Sequence, residues 1–256
     1  MSLRLAMKAG LAALALCCAL AVPALAESGA PVLPCRVLET HPHDPGAFTQ
    51  GLVFVQGGLY ESTGKYGASS LRQVDPATGR VLRQAKLPAD VFAEGLAPDG
   101  DRLILLTWKS GRALVFDRAT FQSVGSFAFE PQGWGLTTGP DGTLWQSRGD
   151  QVLIKRDPAT FLELGRVEVR DGNGPVGHLN ELEWVGDTLL ANVWLTDLAA
   201  VIDPDTGRVQ AYIDLSPLRD ELGSKAEVAN GLAWEPQSGR LYVTGKFWDK
   251  LFVIQY

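Results

Sequence analysis

Apolar residues along this chain fall in short runs of four to seven positions, each closed by a cluster of Gly, Pro, Asp or Thr. From Leu52 onward the runs are Leu52 to Val55, Leu59 to Ser62, Leu71 to Val74 and Val81 to Leu87. Gly57-Gly58, Gly64 to Gly67 and Asp75-Pro76-Ala77-Thr78-Gly79 separate them. Runs of this length with this punctuation predict four short strands joined by tight turns. In the last turn Asp accepts a hydrogen bond from the backbone two residues on, Pro presets φ, and Gly supplies a positive φ. The same turn returns as Asp117-Arg118-Ala119-Thr120, Asp157-Pro158-Ala159-Thr160 and Asp203-Pro204-Asp205-Thr206-Gly207, always after a third strand.

The four-strand unit recurs. It opens at Gly51-Leu52, Gly95-Leu96, Gly135-Leu136, Glu181-Leu182 and Gly231-Leu232, at spacings of 44, 40, 46 and 50 residues. That period belongs to propeller blades and exceeds those of ankyrin or tetratricopeptide repeats. The prediction is an all-β, five-bladed β-propeller. The fifth unit has only three strands, Gly231 to Trp234, Leu241 to Gly245 and Leu251 to Tyr256. Arg36-Val37-Leu38 repeats the wording of Arg80-Val81-Leu82, which opens a fourth strand. Cys35 to Thr40 is therefore expected to complete the last blade, leaving the ring without a free interior edge.

Residues 1 to 26 read as a secretory signal: Arg4 and Lys8, an apolar stretch from about Gly10 to Val22, and Ala24-Leu25-Ala26 as a small-x-small cleavage site. The expectation is a periplasmic or secreted protein whose residues 27–256 form one propeller domain. The apolar stretch is short for a membrane span, and Leu16 before Cys17 does not fit a lipoprotein site. Beyond the leader Cys35 is the only cysteine, so no internal disulfide is available. Without Arg4 and Lys8, 21 basic residues face 29 acidic ones, a net charge near −8. That argues against nucleic acid and anionic membrane as partners. Asp171 to His178 and Ser216 to Val228 break the repeat, each just before a blade opens, and are candidates to rim one mouth of the channel.

The units can be compared with one another. Positions that stay alike are frame, while equivalent positions that vary without becoming apolar are candidates for chemistry. One such position precedes each opening pair: Gln50, Glu94, Trp134, Asn180 and Asn230. Another lies five residues past the leucine of the second strand: Gly64, Trp108, Gly149, Trp194 and Lys246. Strand ends at one mouth of a propeller converge, so Gln50, Glu94, Trp134, Asn180, Trp108, Trp194 and Lys246 are expected to face one another. A lone carboxylate among indoles is desolvated, which raises its pKa and suits it to move protons both ways. Lys246 opposes that shift if it lies near. Side-chain amides and a lysine can steady an oxyanion, and no Gly-x-Ser-x-Gly elbow occurs. Trp145, Trp184, Trp234 and Trp248 read as blade packing. His41, His43 and His178 lack a ligand spacing and read as solvated or locally bonded.

At these residues the chain resembles the plant and bacterial type of glutaminyl-peptide cyclotransferase. The matching segments include Phe48-Thr49-Gln50-Gly51-Leu52, Tyr60-Glu61-Ser62-Thr63-Gly64, Phe92-Ala93-Glu94-Gly95-Leu96 and Leu106-Thr107-Trp108-Lys109. They continue with Gly133-Trp134-Gly135-Leu136-Thr137, Leu179-Asn180-Glu181-Leu182-Glu183, Ala191-Asn192-Val193-Trp194 and Val243-Thr244-Gly245-Lys246. The resemblance implies a five-bladed propeller that converts N-terminal glutamine of a peptide or protein to pyroglutamate and ammonia without a catalytic metal; no cofactor and a monomeric state are also expected. The family's acid/base glutamate falls on Glu94, and its other active-site positions fall on Phe48, Gln50, Phe92, Trp108, Trp134, Asn180, Trp194 and Lys246. The chain departs from the family pattern at Gln132 and Arg148, which bear on rim charge and substrate preference rather than on those positions. Two other classes compete. A calcium-dependent propeller lactonase would need Glu61, Glu94, Asn180 and Asp197 to converge as oxygen ligands, and a propeller can serve binding alone.

Overall fold

The computed structural model describes residues 29–130 and 132–256. The leader reading of residues 1–26 lies outside the described residues. Five antiparallel blades follow one another along the chain, with a two-stranded hairpin, Arg170–Asp171 and Gly174–Pro175, between the third and the fourth. The first blade is Thr49–Val55, Gly58–Thr63, Ser70–Val74 and Val81–Lys86, and the second is Ala93–Asp99, Arg102–Thr107, Arg112–Asp117 and Ser123–Ala128. The third is Leu136–Thr138, Leu144–Gln146, Val152–Arg156 and Glu163–Glu168. The fourth runs Leu179–Val185, Thr188–Val193, Leu198–Ile202 and Val209–Asp214, and the fifth Ala229–Glu235, Arg240–Gly245 and Lys250–Gln255. No helix among the described residues is long and apolar enough to cross a membrane.

Ring closure follows the expected route and adds to it. Arg36–Pro42 pairs antiparallel with Lys250–Gln255 and completes the fifth blade. Just before it, Val32–Pro34 pairs parallel with Val209–Asp214 and gives the fourth blade a fifth strand. The N-terminal segment thus ties two neighbouring blades together, with Cys35 at the crossing. The Asp turns form as expected: the Asp75, Asp157 and Asp203 carboxylates each accept the backbone N–H two residues on.

Apolar burial lies between blades. Five buried clusters fill the five junctions, including the closing one, where Leu52 and Leu59 of the first blade meet Tyr242, Leu251 and Val253 of the fifth. A fully buried leucine such as Leu96 contributes about 2 kcal/mol, and every blade holds two neighbours this way.

Near the axis the innermost strands approach so closely that a side chain does not fit. A Cβ on Gly51 would lie 2.6 Å from the Leu96 nitrogen, one on Gly95 2.3 Å from the Leu136 nitrogen, and one on Gly135 2.0 Å from the Asn180 oxygen. The fourth blade has Glu181 at the corresponding place. Its buried carboxylate accepts the backbone N–H groups of Leu52 at 3.2 Å and Leu232 at 2.9 Å, joining blades one, four and five at mid-channel. Two residues on, Glu183 accepts from Trp234 N at 2.8 Å and Thr137 Oγ1 at 3.3 Å. Burial, with the Glu183 charge adding to it, pushes the Glu181 carboxyl well above the usual range, and burial pushes Glu183 up to about 8.

Candidate active site

In four of the five blades the residue before the opening pair sits where the innermost strand loses register with the second. Register shifts fall between Thr49 and Gly51, Ala93 and Leu96, Leu179 and Leu182, and Ala229 and Leu232. A bulge inserts a residue that the ladder does not pair and turns its side chain away from the normal alternation. Gln50, Glu94, Asn180 and Asn230 are therefore re-aimed by backbone geometry, four times at the same level of the ring. The second position is equivalent too: Trp108, Trp194 and Lys246 donate backbone N–H to Phe92, His178 and Val228, at the strand ends beside these bulges.

All nine residues expected at the site line one cavity of about 300 Å³, together with Lys65. Where the second position is glycine, a ring takes the space: a Cβ on Gly64 would meet Phe92 at 2.3 Å, and one on Gly149 would meet Trp134 at 2.6 Å. Five of the ten lining residues are aromatic and fall into two groups. Phe48, Phe92 and Trp108 form one arc, with centroids 6.0 and 5.6 Å apart, and Trp134 and Trp194 meet edge to face at 5.4 Å on the other.

Glu94 is 4% exposed. Gln50 Nε2 donates to its Oε2 at 2.7 Å, and Ser62 Oγ donates to its backbone carbonyl. Asn230 sets the Gln50 amide, donating from Nδ2 to Thr49 O at 3.0 Å and to Gln50 Oε1 at 3.4 Å. Burial raises the Glu94 carboxyl well above its ordinary range, against the pull of the Lys246 charge and the Gln50 hydrogen bond. The Lys246 ammonium is buried as well. Burial and Lys65 lower its pKa, while the Glu94 and Glu227 charges work the other way. It lies 4.8 Å over the Phe48 ring.

Two polar groups are left over. Trp134 Nε1 and Asn180 Oδ1 are buried without a hydrogen-bond partner. Unpaired buried polar groups cost roughly 1–3 kcal/mol each, so both are poised for a ligand that supplies what they lack.

Other expectations resolve as follows. Among the described residues no three His, Cys, Asp or Glu side chains gather as metal ligands. Glu61 faces His43 and Arg72, and Asp197 lies near Arg219, so the four ligands of the lactonase reading do not meet. Trp145 and Trp248 are core residues, while Trp184 and Trp234 line a separate hollow with Glu183 at the opposite mouth. The segments Asp171 to His178 and Ser216 to Val228 contribute no lining residue to the cavity. Reading His43 as solvated or locally bonded is wrong. It is buried, with Nε2 3.1 Å from Glu61 Oε1 and Nδ1 2.9 Å from the Trp248 carbonyl. His41 does bond locally, to Glu39, and His178 packs against Trp194. Sequence comparison missed Lys65, which follows the repeat-equivalent Gly64, and the supporting role of Asn230.

Known proteins resemble this chain in sequence and in fold. The sequence pattern of the glutamine cyclotransferase family matches residues 10–256. The glutaminyl-peptide cyclotransferase of Arabidopsis thaliana is 40% identical over 227 residues, covering 86% of this chain and 70% of that protein. The crystal structure of Myxococcus xanthus glutaminyl cyclase superposes with a TM-score of 0.82 at 36% identity, covering 88% of this chain and 97% of that one. A propeller with these bulges, this cavity and these relatives belongs to the glutamine cyclotransferase family.

Proposed function

We propose that the protein is a glutaminyl-peptide cyclotransferase that closes the N-terminal glutamine of a peptide or protein to pyroglutamate and releases ammonia, with Glu94 as general acid and base. The observation that carries this reading is the setting of Glu94: one carboxyl of raised pKa, held by Gln50, in a cavity walled by indoles. Glu181 joins three blades at mid-channel below it, so the cavity favours a chain end over a passing strand.

The reaction needs no second substrate. A free α-amine has a pKa near 8, so roughly a tenth is neutral at pH 7. Its nitrogen attacks the side-chain amide carbon, a C–N bond forms, and Glu94 takes a proton from that nitrogen. Glu94 then gives the proton to the amide nitrogen as the original C–N bond breaks, and ammonia leaves. The carboxyl ends as it began. Lys246, Asn180 and Trp134 line the same cavity, so the Lys246 ammonium, the Asn180 amide N–H and the unpaired Trp134 N–H are the donors available to the developing oxyanion, while Gln50 is engaged with Glu94. Phe48, Phe92, Trp108 and Trp194 exclude water and hold the glutaminyl stem. No step calls on a metal or cofactor.

The test is ammonia release from a Gln-initiated peptide by wild type and Glu94→Gln, with and without a chelator. Wild type is expected to release ammonia in both conditions. The variant should fold normally and lose about 10²- to 10⁴-fold in rate. A variant that kept most of its turnover would remove Glu94 from the role.

A further inference from the structure

The cavity is electrically lopsided. Among the described residues Glu94 is its only lining carboxylate, whereas Lys65 and Lys246 both line it. The Lys65 ammonium sits 3.8 Å over the Phe48 ring and 5.5 Å from that of Phe247, with no acidic partner among the described residues. Lys109 lies 3.9 Å over the neighbouring Trp108 ring on the same arc. On the opposite arc, beside Trp134, Arg148 is already paired with Asp150 at 2.7 Å.

Lys65 reaches this place through an unusual backbone. Its φ is +122°, a region that L residues rarely adopt. The conformation is pinned: the Lys65 carbonyl accepts from Ala68 N at 3.0 Å and from Ser69 Oγ at 2.8 Å, and Gly64 N donates to Phe48 O at 2.8 Å. Strain held by such surroundings concentrates at functional positions. Here its effect is to lay an exposed lysine inward over the cavity wall.

What meets that ammonium follows from the cyclisation geometry, and so rests on the function proposed above. To close a five-membered ring the glutaminyl residue must curl, with amine and side-chain amide both near buried Glu94. Its own carbonyl is then the only way out, and the next Cα lies 3.8 Å further along the chain. The second residue therefore emerges at the rim where Lys65 and Lys109 stand. We propose that Lys65 is a specificity-determining residue that reads the charge of the substrate's second residue, favouring an acidic side chain there and disfavouring a basic one. Because this contact lies outside the reacting atoms, it acts through KM with kcat nearly constant.

The test uses amidated tetrapeptides Gln-X-Ala-Ala with X as Glu, Gln or Lys, so that only X varies in charge. Wild type is expected to prefer Glu over Lys by about three- to ten-fold in kcat/KM, the range of a partly solvated charge pair, and to lose that preference in high salt. Lys65→Gly should abolish the preference without lowering the melting temperature, since glycine takes a positive φ without strain. Lys65→Glu should invert it. An unchanged Glu-to-Lys ratio in Lys65→Glu would overturn the assignment while leaving the cyclase reading intact. Failure of folded wild type to turn over any of the three peptides would remove the cyclase reading, and this one with it.

Discussion

The Trp134 indole N–H is buried with no partner, while the ring of the same residue walls the cavity and packs over Gly149. The two roles separate in Trp134→Phe, which keeps an aromatic wall and deletes the donor. Losing a hydrogen bond made only to substrate should lower kcat/KM by about ten-fold. Stability should hold or rise, because an unsatisfied buried group disappears. Steady-state kinetics beside thermal denaturation checks this, and an unchanged kcat/KM would return Trp134 to the wall alone. The contrast shows where the sequence was legible. Glu94, Gln50 and Asn180 stand out because five units supply their own comparison. An unpaired N–H is visible only when its surroundings are known. Lys65 escaped notice because it lies one residue off the repeat-equivalent position and enters the cavity through its backbone conformation, and strand pairing does not encode that.

A bulge at the end of an innermost strand explains why the pairing Glu94-Gly95 has its two residue types. Glu94 is turned toward the axis, and Gly95 follows because the backbone of the third blade passes 2.3 Å from where its Cβ would be. Gly95→Ala should therefore destabilise by about 1–3 kcal/mol and shift Glu94 enough to depress turnover in whatever protein remains folded. Gly125→Ala is the control. Nothing lies within 4 Å of its Cβ, on an outer strand, and alanine there restricts the unfolded chain, so stability should be unchanged or slightly higher. Equal melting temperatures for the two variants would refute the close-approach argument. The strands themselves were legible from their punctuation, since Asp-x-x-Thr-Gly turns encode their conformation locally. The extra strand Val32–Pro34 was not: it is three residues long, and its parallel partner is almost two hundred residues away in sequence.

At the scale of the ring, closure is the vulnerable point, because it joins the two ends of the chain. Besides strand pairing, the closure carries a buried polar clasp. His43 Nδ1 faces the Trp248 carbonyl, an acceptor only, and Nε2 faces the Glu61 carboxylate. Both ring nitrogens must donate, so the geometry calls for an imidazolium. Burial alone would lower the His43 pKa, but the Glu61 charge, its hydrogen bond and the Trp248 carbonyl outweigh burial and leave it raised above 6.5. Glu61 is the counterpart: burial raises it, and His43, Arg72 and Thr49 outweigh that and hold it below 4.5. The signs follow. The His43 contribution is complete below 6.5 and is lost as pH rises through the raised value. The Glu61 contribution is complete above 4.5 and is lost as pH falls through the lowered one. The clasp is thus strongest between 4.5 and 6.5. In that window His43→Ala should cost about 3 kcal/mol, since it leaves a buried carboxylate with only Arg72 at 3.7 Å as a charged partner. The cost should shrink as pH rises beyond 6.5 through the raised His43 value, where wild type loses its own imidazolium. Adding Glu61→Gln should recover part of it by removing the stranded charge. Denaturant midpoints of the three proteins across pH measure this directly. A His43→Ala penalty that does not change with pH would mean that His43 closes the ring by packing rather than by charge. Thr49 donates to the same Glu61 oxygen at 2.7 Å and immediately precedes Gln50, so the clasp that closes the ring also fixes the strand that positions Glu94.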